Sequence, residues 1–537
     1  MNYVGLTFGP VIETLSSTYT PAGLWFSSYF FSRFVRSCAM AFQENGYEVI
    51  TLGEGFSISE NLNDMGVGKY HDRIYLRTDK STQTIQQNIS DVKKKVIDEN
   101  TEMLVNGFGK SDKTVDRGDV KSFFNDFLQI HHVIFPENAI GKKGIAKTLA
   151  DTLDALELSQ KVISEPGHNY LFEFAEGSPL KGSNDYLRFY EPLQEAARED
   201  AFRIAVRKAG KLQIRDVGFI SSNGKYTSAE ITENNPSLAK TDKYFAIVQC
   251  DGDNMGKLIS GSSGQDGGRV SLDDQVKCIH KFSSKCMEYA DRVYNLVGSS
   301  GGFLIYAGGD DLLFLAPVVS KETNVWKLCR DIALEFDRIF NSNGTSGASL
   351  SFGLSINYYK FPLYESFLDT LGLLFSEAKY FVREPGNEKN NAAIRIHKDS
   401  GQSMGVVLCL ETIGKSRSTK DTDDTLYRDY LKLIDLFTKA DQKKANELMT
   451  SLIYHIENQK CMFIEALKND MDIHTLIVNS FDGPVHEDAK ELIGLIEILI
   501  TDSWHAFYKN KLKTLGGGGP IDAVTSMLRM AKFLVEE

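Results

Sequence analysis

Two pairs of acidic residues, far apart in the chain, each follow or interrupt a strand-like apolar run, and no other feature constrains the fold as tightly. Asp251 and Asp253 close the run 244–250. Asp310 and Asp311 sit in Gly308-Gly309-Asp310-Asp311, a turn between the apolar runs 303–307 and 312–316. Clustered carboxylates repel one another and are costly to bury unless a cation neutralises them. A fold that brought the two pairs together would make a magnesium site suited to nucleotide chemistry.

The elements around these pairs have a readable order. A strand at 244–249 precedes a helix at 272–297, whose Val276, Ile279, Phe282, Ala290, Val293 and Val297 lie broadly on one side. The Gly-Gly-Asp-Asp hairpin follows, then a helix at 325–340, a strand at 348–358, a helix at 364–382 and a strand at 392–396. This β-α-β-β-α-β order is that of a ferredoxin-like or palm domain. Such a domain sets the end of its first strand beside the hairpin joining its second and third, so all four carboxylates can converge above one sheet. Two divalent ions held there would activate a ribose 3′-hydroxyl and offset triphosphate charge, which is the chemistry of nucleotidyl transfer.

The residues nearby fit that reading. Gly308 and Gly309 permit a sharp turn and close approach of substrate. Gly252 and Gly256 leave room around Asp253-Asn254-Met255, where backbone N–H groups can hold phosphate oxygens, and Lys257 adds a positive charge. Lys379 is placed to reach polyphosphate. Ser351 and Gly353 are expected to shape the nucleotide pocket, Gly353 by relieving crowding near a base or ribose.

At 537 residues the chain exceeds one ordinary core, so several units are expected. The first begins with a strand near 3–8, an aromatic helix at 22–43, read as core, and strands near 49–52 and 73–76. Residues 82–215 read as mixed helix and loop, with helical faces at 116–129 and 186–208. The tail beyond 424 is helical and suits packing and assembly. A net charge of −12 argues against a uniformly basic coat for nucleic acid. Seven scattered cysteines form no Cys-x-x-Cys pair, so neither a disulfide framework nor a zinc ribbon is expected, and the setting is a reducing cytoplasm. His131-His132 and His168 lack ligand partners nearby. No apolar stretch is long enough to cross a membrane.

The central block resembles the catalytic palm of the large polymerase-cyclase subunit of type III CRISPR effector complexes, Cmr branch. The residues that carry the resemblance are Asp251-Gly252-Asp253-Asn254-Met255-Gly256-Lys257, Gly308-Gly309-Asp310-Asp311, Ser351-Phe352-Gly353 and Pro362-Leu363. Gly9-Pro10-Val11 and Leu24-Trp25-Phe26-Ser27-Ser28-Tyr29 resemble the same family's noncatalytic first palm. The resemblance implies an α+β chain of two ferredoxin-like palm domains, a small intervening helical domain and a carboxy-terminal helical bundle. The implied divisions are 1–115 for the noncatalytic palm, completed by part of 165–241, then 116–241 for the small mixed helical domain. The catalytic palm would occupy 242–405 and the helical assembly domain 406–537.

It also implies a target-RNA-activated enzyme, in an antiviral complex with guide RNA, target RNA and neighbouring subunits, that makes cyclic oligoadenylate from ATP. Asp251, Asp310 and Asp311 are the implied catalytic metal ligands for Mg2+ or Mn2+, with Asp253 a further ligand. The chain departs from the family in lacking the amino-terminal His-Asp nuclease signature and the cysteine zinc site, so no intrinsic DNA nuclease is expected. Asn357-Tyr358-Tyr359 also departs from the more histidine-rich pattern. Conjugation of AMP from ATP to S-adenosylmethionine is one alternative outcome. A nucleotide-binding scaffold without turnover and a cyclic-dinucleotide synthase are others.

Overall fold

A computed structural model describes residues 1–51, 67–110, 114–141, 143–158, 169–176, 217–231, 237–259, 270–320, 323–341, 348–380, 389–410, 426–439, 442–479, 490–504 and 519–535. The helix expected at 186–208 and the linker expected at 412–424 lie outside the described residues.

The described residues form a mixed α+β fold with two sheets. The first is four-stranded, in the order β2-β3-β1-β4, from β1 (Asn2–Gly9), β2 (Glu48–Val49), β3 (Arg73–Thr78) and β4 (Gln129–Pro136). All its pairings are antiparallel. The fourth strand comes from 129–136, and from 165–241 the described helix Tyr170–Glu176 adds Leu171 and Phe174 to this unit's core. The strand was obscure in the sequence because it is an edge strand with no clear alternation, every residue being half-buried or exposed.

The second sheet is six-stranded, in the order β10-β9-β8-β5-β7-β6. Its strands are β5 (Tyr244–Asp253), β6 (Phe303–Gly308), β7 (Asp311–Pro317), β8 (Ser349–Tyr358), β9 (Asn391–His397) and β10 (Ser403–Cys409). Only β8 and β9 pair in parallel. The division expected between 405 and 406 falls inside β10, which the palm sheet retains.

Strand β5 is central and buried on both faces, with side chains alternating between two cores. Tyr244, Ala246, Val248 and Cys250 face a core that includes Val293, Trp326, Ile332 and Phe336 from the helices Leu272–Ser299 and Val325–Phe340. Phe245 and Ile247, with Ile305, Leu313 and Leu315, join a core built around the helix Pro21–Glu44. That helix also packs Val4, Leu6, Phe8, Ile74 and Leu76 of the first sheet. Its aromatic side chains are therefore shared between two sheets, each fully buried Phe contributing roughly 1.5–3 kcal/mol.

Local signals set the helix starts. Pro21 occupies the first turn behind Thr20, whose hydroxyl oxygen accepts from Gly23 N at 3.0 Å. Ser271 and Asn324 accept from Asp274 N and Lys327 N at 3.1 and 3.0 Å. Asp116 caps Arg117–Phe127 in the same way. The carboxy-terminal helices lie on the second unit: Tyr427 donates to the Trp326 carbonyl at 2.8 Å, and Phe533 meets Tyr244 edge-on at 4.7 Å. No helix among the described residues is long and apolar enough to cross a membrane.

Candidate active site

Register alone sets Asp251 and Asp253 at the end of β5, opposite Ser351 and Ser349 of β8. On the other side β7 pairs with β5, and the β6–β7 hairpin closes through Gly309 and Asp310 with Gly308 opposite Asp311. Gly309 has φ +68°, the left-handed conformation that glycine supplies to the first position of such a turn. The strand end and the hairpin meet at Gly252. A Cβ built there would lie 2.5 Å from Asp310 Oδ2 and 2.7 Å from Asp310 Cβ, so only glycine admits the acid.

Burial raises the Asp310 carboxyl above the usual range, against the pull of His71. Asp311 is pushed up further, first by burial and then by the charges of Asp310 and Asp72. Asp253 is fully buried, and burial raises its pKa too. Its Oδ2 accepts from Ser349 Oγ at 2.8 Å, Ser351 Oγ at 2.7 Å and Asn390 N at 2.9 Å. Asn390 delivers that N–H from a left-handed backbone, φ +58°, next to Lys389 at +82°. Two residues in this uncommon conformation, side by side, are backbone strain held at a site.

Lys379 approaches from the far side. Its ammonium touches Asp251 Oδ2, lies 3.3 Å from the Gly252 carbonyl and 3.7 Å from Asp253 Oδ1. Burial, then Lys389, lowers its amine to about 7. The touching Asp251 carboxylate opposes that displacement and favours the charged ammonium. The expected α-helix at 364–382 is α-helical only over Leu363–Gly372 and becomes a π-turn over Leu373–Ala378. Gly353 admits this segment closely: a Cβ there would collide with the Thr370 carbonyl and stand 2.8 Å from Leu374 N. Gly353 thus packs tightly against this segment.

The other expected residues are placed plainly. Ser351 donates to Asp253. Asn254, at φ +61°, turns β5 into the short helix Met255–Ile259, which contains Met255, Gly256 and Lys257. Met255 is buried, and nothing crowds Gly256. The structure adds His71 and Asp72, which local sequence had not linked to this site. His71 Nδ1 and Asp72 Oδ1 lie 2.9 Å apart. The His71 ring lies so close over Gly309 that a Cβ there would be 3.1 Å from Cδ2. The approach is held by Ala307 N donating to the Gly68 carbonyl at 2.8 Å, and by Lys69 pairing with Asp291 at 2.6 Å.

Among the described residues, no three His, Cys, Asp or Glu side chains close on one point as a finished metal shell. Two carboxylate oxygens, Asp253 Oδ1 and Asp311 Oδ1, are nevertheless buried without a hydrogen-bond partner. Hard oxygens left unsatisfied beside a raised-pKa carboxyl pair are the donor chemistry of a divalent cation. The residues fit such an ion, with Lys379 supplying the positive charge here.

Residues 244–392 match the family of the second palm domain of Cas10/Cmr2. The chain carries a Cas10/Cmr2 palm. The Cmr2 subunit of the CRISPR Cmr system of Pyrococcus furiosus is 34% identical over 178 residues, covering 30% of this chain and 20% of that protein. The chain thus spans about a fifth of that curated relative. The fold is similar to that of a type III-B Cmr-β structure in the apo state, with TM-score 0.57 at 14% identity, covering 99% of this chain and 81% of the other. A type III-B Cmr-β structure bound to cognate target RNA gives 0.56 at 13% identity, covering 99% and 82%. The Cas10/Cmr2 palm therefore contains both acidic pairs, the Asp253 cradle and Lys379.

Proposed function

We propose that this chain is the nucleotidyltransferase subunit of an RNA-guided antiviral complex, activated by target RNA and making cyclic oligoadenylate from ATP. The observation that carries the reading is the close approach of Asp310 to Gly252, between Asp251 and Asp253, inside a Cas10/Cmr2 palm. Asp251, Asp310 and Asp311 would hold Mg2+ or Mn2+, and Asp253 would offer its unpartnered Oδ1. When bound, such an ion supplies a lowered pKa for the attacking hydroxyl and neutralises the polyphosphate.

The chain's own residues do the rest. Ser349, Ser351 and Asn390 fix the Asp253 carboxylate in one orientation. Gly252 seats Asp310. Lys379 brings a positive charge to Asp251 and the Gly252 carbonyl, where a triphosphate would run. Attack on the α-phosphorus breaks its bond to the bridging oxygen and releases pyrophosphate.

The first sheet, with strand order 2-3-1-4, supports a second, noncatalytic palm that covers 1–115 and takes its last strand from 129–136. The catalytic palm then runs from 242 through β10, followed by the helical assembly domain. Guide RNA, target RNA and neighbouring CRISPR subunits are the partners, and the cytoplasm is the compartment. Mass spectrometry of products tests the reading, using the reconstituted complex with matching target RNA, Mg2+ or Mn2+, and ATP, with and without S-adenosylmethionine. Oligoadenylate from ATP alone supports it. A product that forms only with S-adenosylmethionine moves the acceptor to that molecule. No product despite target binding leaves a nucleotide-binding scaffold.

A further inference from the structure

Next to Lys379 the π-turn presents a large apolar side chain to water. Phe375 is 42% exposed, whereas Leu373, Leu374 and Ala378 of the same turn are buried. The Lys379 ammonium lies 5.8 Å from the Phe375 ring centroid while it touches Asp251. One lysine head group thus separates an open aromatic face from the acidic site.

The turn is held rigidly. Arg395 of β9 pairs with Asp369 before the turn and with Glu377 within it, the latter at 2.6 Å. Asp369 Oδ2 also accepts from Ser355 Oγ at 2.8 Å and lies 3.0 Å from His397 Nε2. Asn391 Nδ2 donates to the Ala378 carbonyl at 2.8 Å. Gly353 lets the whole segment settle onto β8. These ties serve no proton transfer in the proposed reaction; they fix where Phe375 and Lys379 stand. π-Turns of this kind occur frequently at functional sites, and a ring on a rigid element is ready to stack.

We infer that Phe375 is the platform on which the purine ring of the nucleotide stacks, held in place by the Arg395 network. The inference rests on the proposed nucleotide site and extends it to base recognition. A flat ligand that puts its phosphates at Lys379 and the aspartates has this ring as its adjoining apolar face, and stacking there shields both from water.

The test is a titration of the full-length chain, as wild type, F375A and F375W, with ATP and separately with tripolyphosphate, in Mg2+. The expected result is an ATP Kd weakened about tenfold in F375A and held in F375W. Tripolyphosphate, which has no base, should bind all three alike. Equal ATP affinity in wild type and F375A overturns the stacking role and leaves the nucleotide site standing. An equal loss for ATP and tripolyphosphate in F375A also overturns it, since Phe375 would then act through Lys379. Failure of the wild type to bind either ligand overturns the nucleotide site, and the stacking role with it.

Discussion

The first sheet and four strands of the second run in the same order, yet only the second ends in paired acids. In the first, β1 lies between β3 and β4, as β5 lies between β7 and β8 in the second. Strand β1 ends at Gly9-Pro10, without a carboxylate; β5 ends at Asp251-Gly252-Asp253. The β6–β7 connection is a tight acidic turn. The β2–β3 connection of the first sheet instead reaches across, with residues 68–72 lying against β6 and setting His71 over Gly309. One sheet carries the acidic residues of the proposed site, and its counterpart supplies a wall. Strand order is thus common property, while a handful of residues at strand ends sets the two copies apart.

The sharpest break between the sheets is D310A/D311A, expected to lower turnover by about 10³-fold or more while target-RNA binding persists. Loss of complex assembly in that variant would instead make the acids structural. A paired glycine test comes next. G252A drives a Cβ into Asp310 and should cost about 100-fold in turnover, since small misplacements at a reacting centre are expensive. G5A on β1 puts a Cβ 3.1 Å from Leu153 Cδ1 and should cost about 1–3 kcal/mol of stability with activity kept, measured by chemical denaturation.

A smaller effect concerns the cost of burying acid. Because the Asp311 pKa is raised in the fold, its ionised form destabilises the metal-free chain above the unfolded value, and that penalty fades as pH falls through the folded value. D311N should therefore raise the metal-free Tm by about 2–4 °C at neutral pH, with the gain vanishing in acid. The smallest effect belongs to the wall. Burial lowers the His71 pKa, but the Asp72 charge and hydrogen bond outweigh it, giving a net rise. The pair's stabilisation is full below about pH 6.5 and lost as pH climbs through the folded value. H71Q should flatten the pH dependence of Tm across that window; an unchanged profile would remove His71 from the contact.

Much of the second sheet could be read from residues alone. Strands buried on both faces leave continuous apolar runs, and their acidic ends mark where those runs stop. The edge strand β4 left no such trace, with His131 and His132 in mid-strand. The π-turn was hidden because 364–382 has ordinary helical periodicity, and its close approach to Gly353 on β8 is a tertiary contact that periodicity does not record. Ser349 and Asn390 were missed for the same reason, since each meets Asp253 only through sheet register or a left-handed turn. His71 reaches the hairpin from another unit, and nothing local announces it beyond the adjacent His-Asp pair.

The most direct test of the central claim is pyrophosphate release from ATP by the assembled complex, with target RNA bound, comparing wild type with D251A and with D310A/D311A. If both acidic pairs form one nucleotide-transfer site, wild type releases pyrophosphate in step with target RNA and both variants fall to background. Release that persists in both variants would place the chemistry elsewhere and contradict the account.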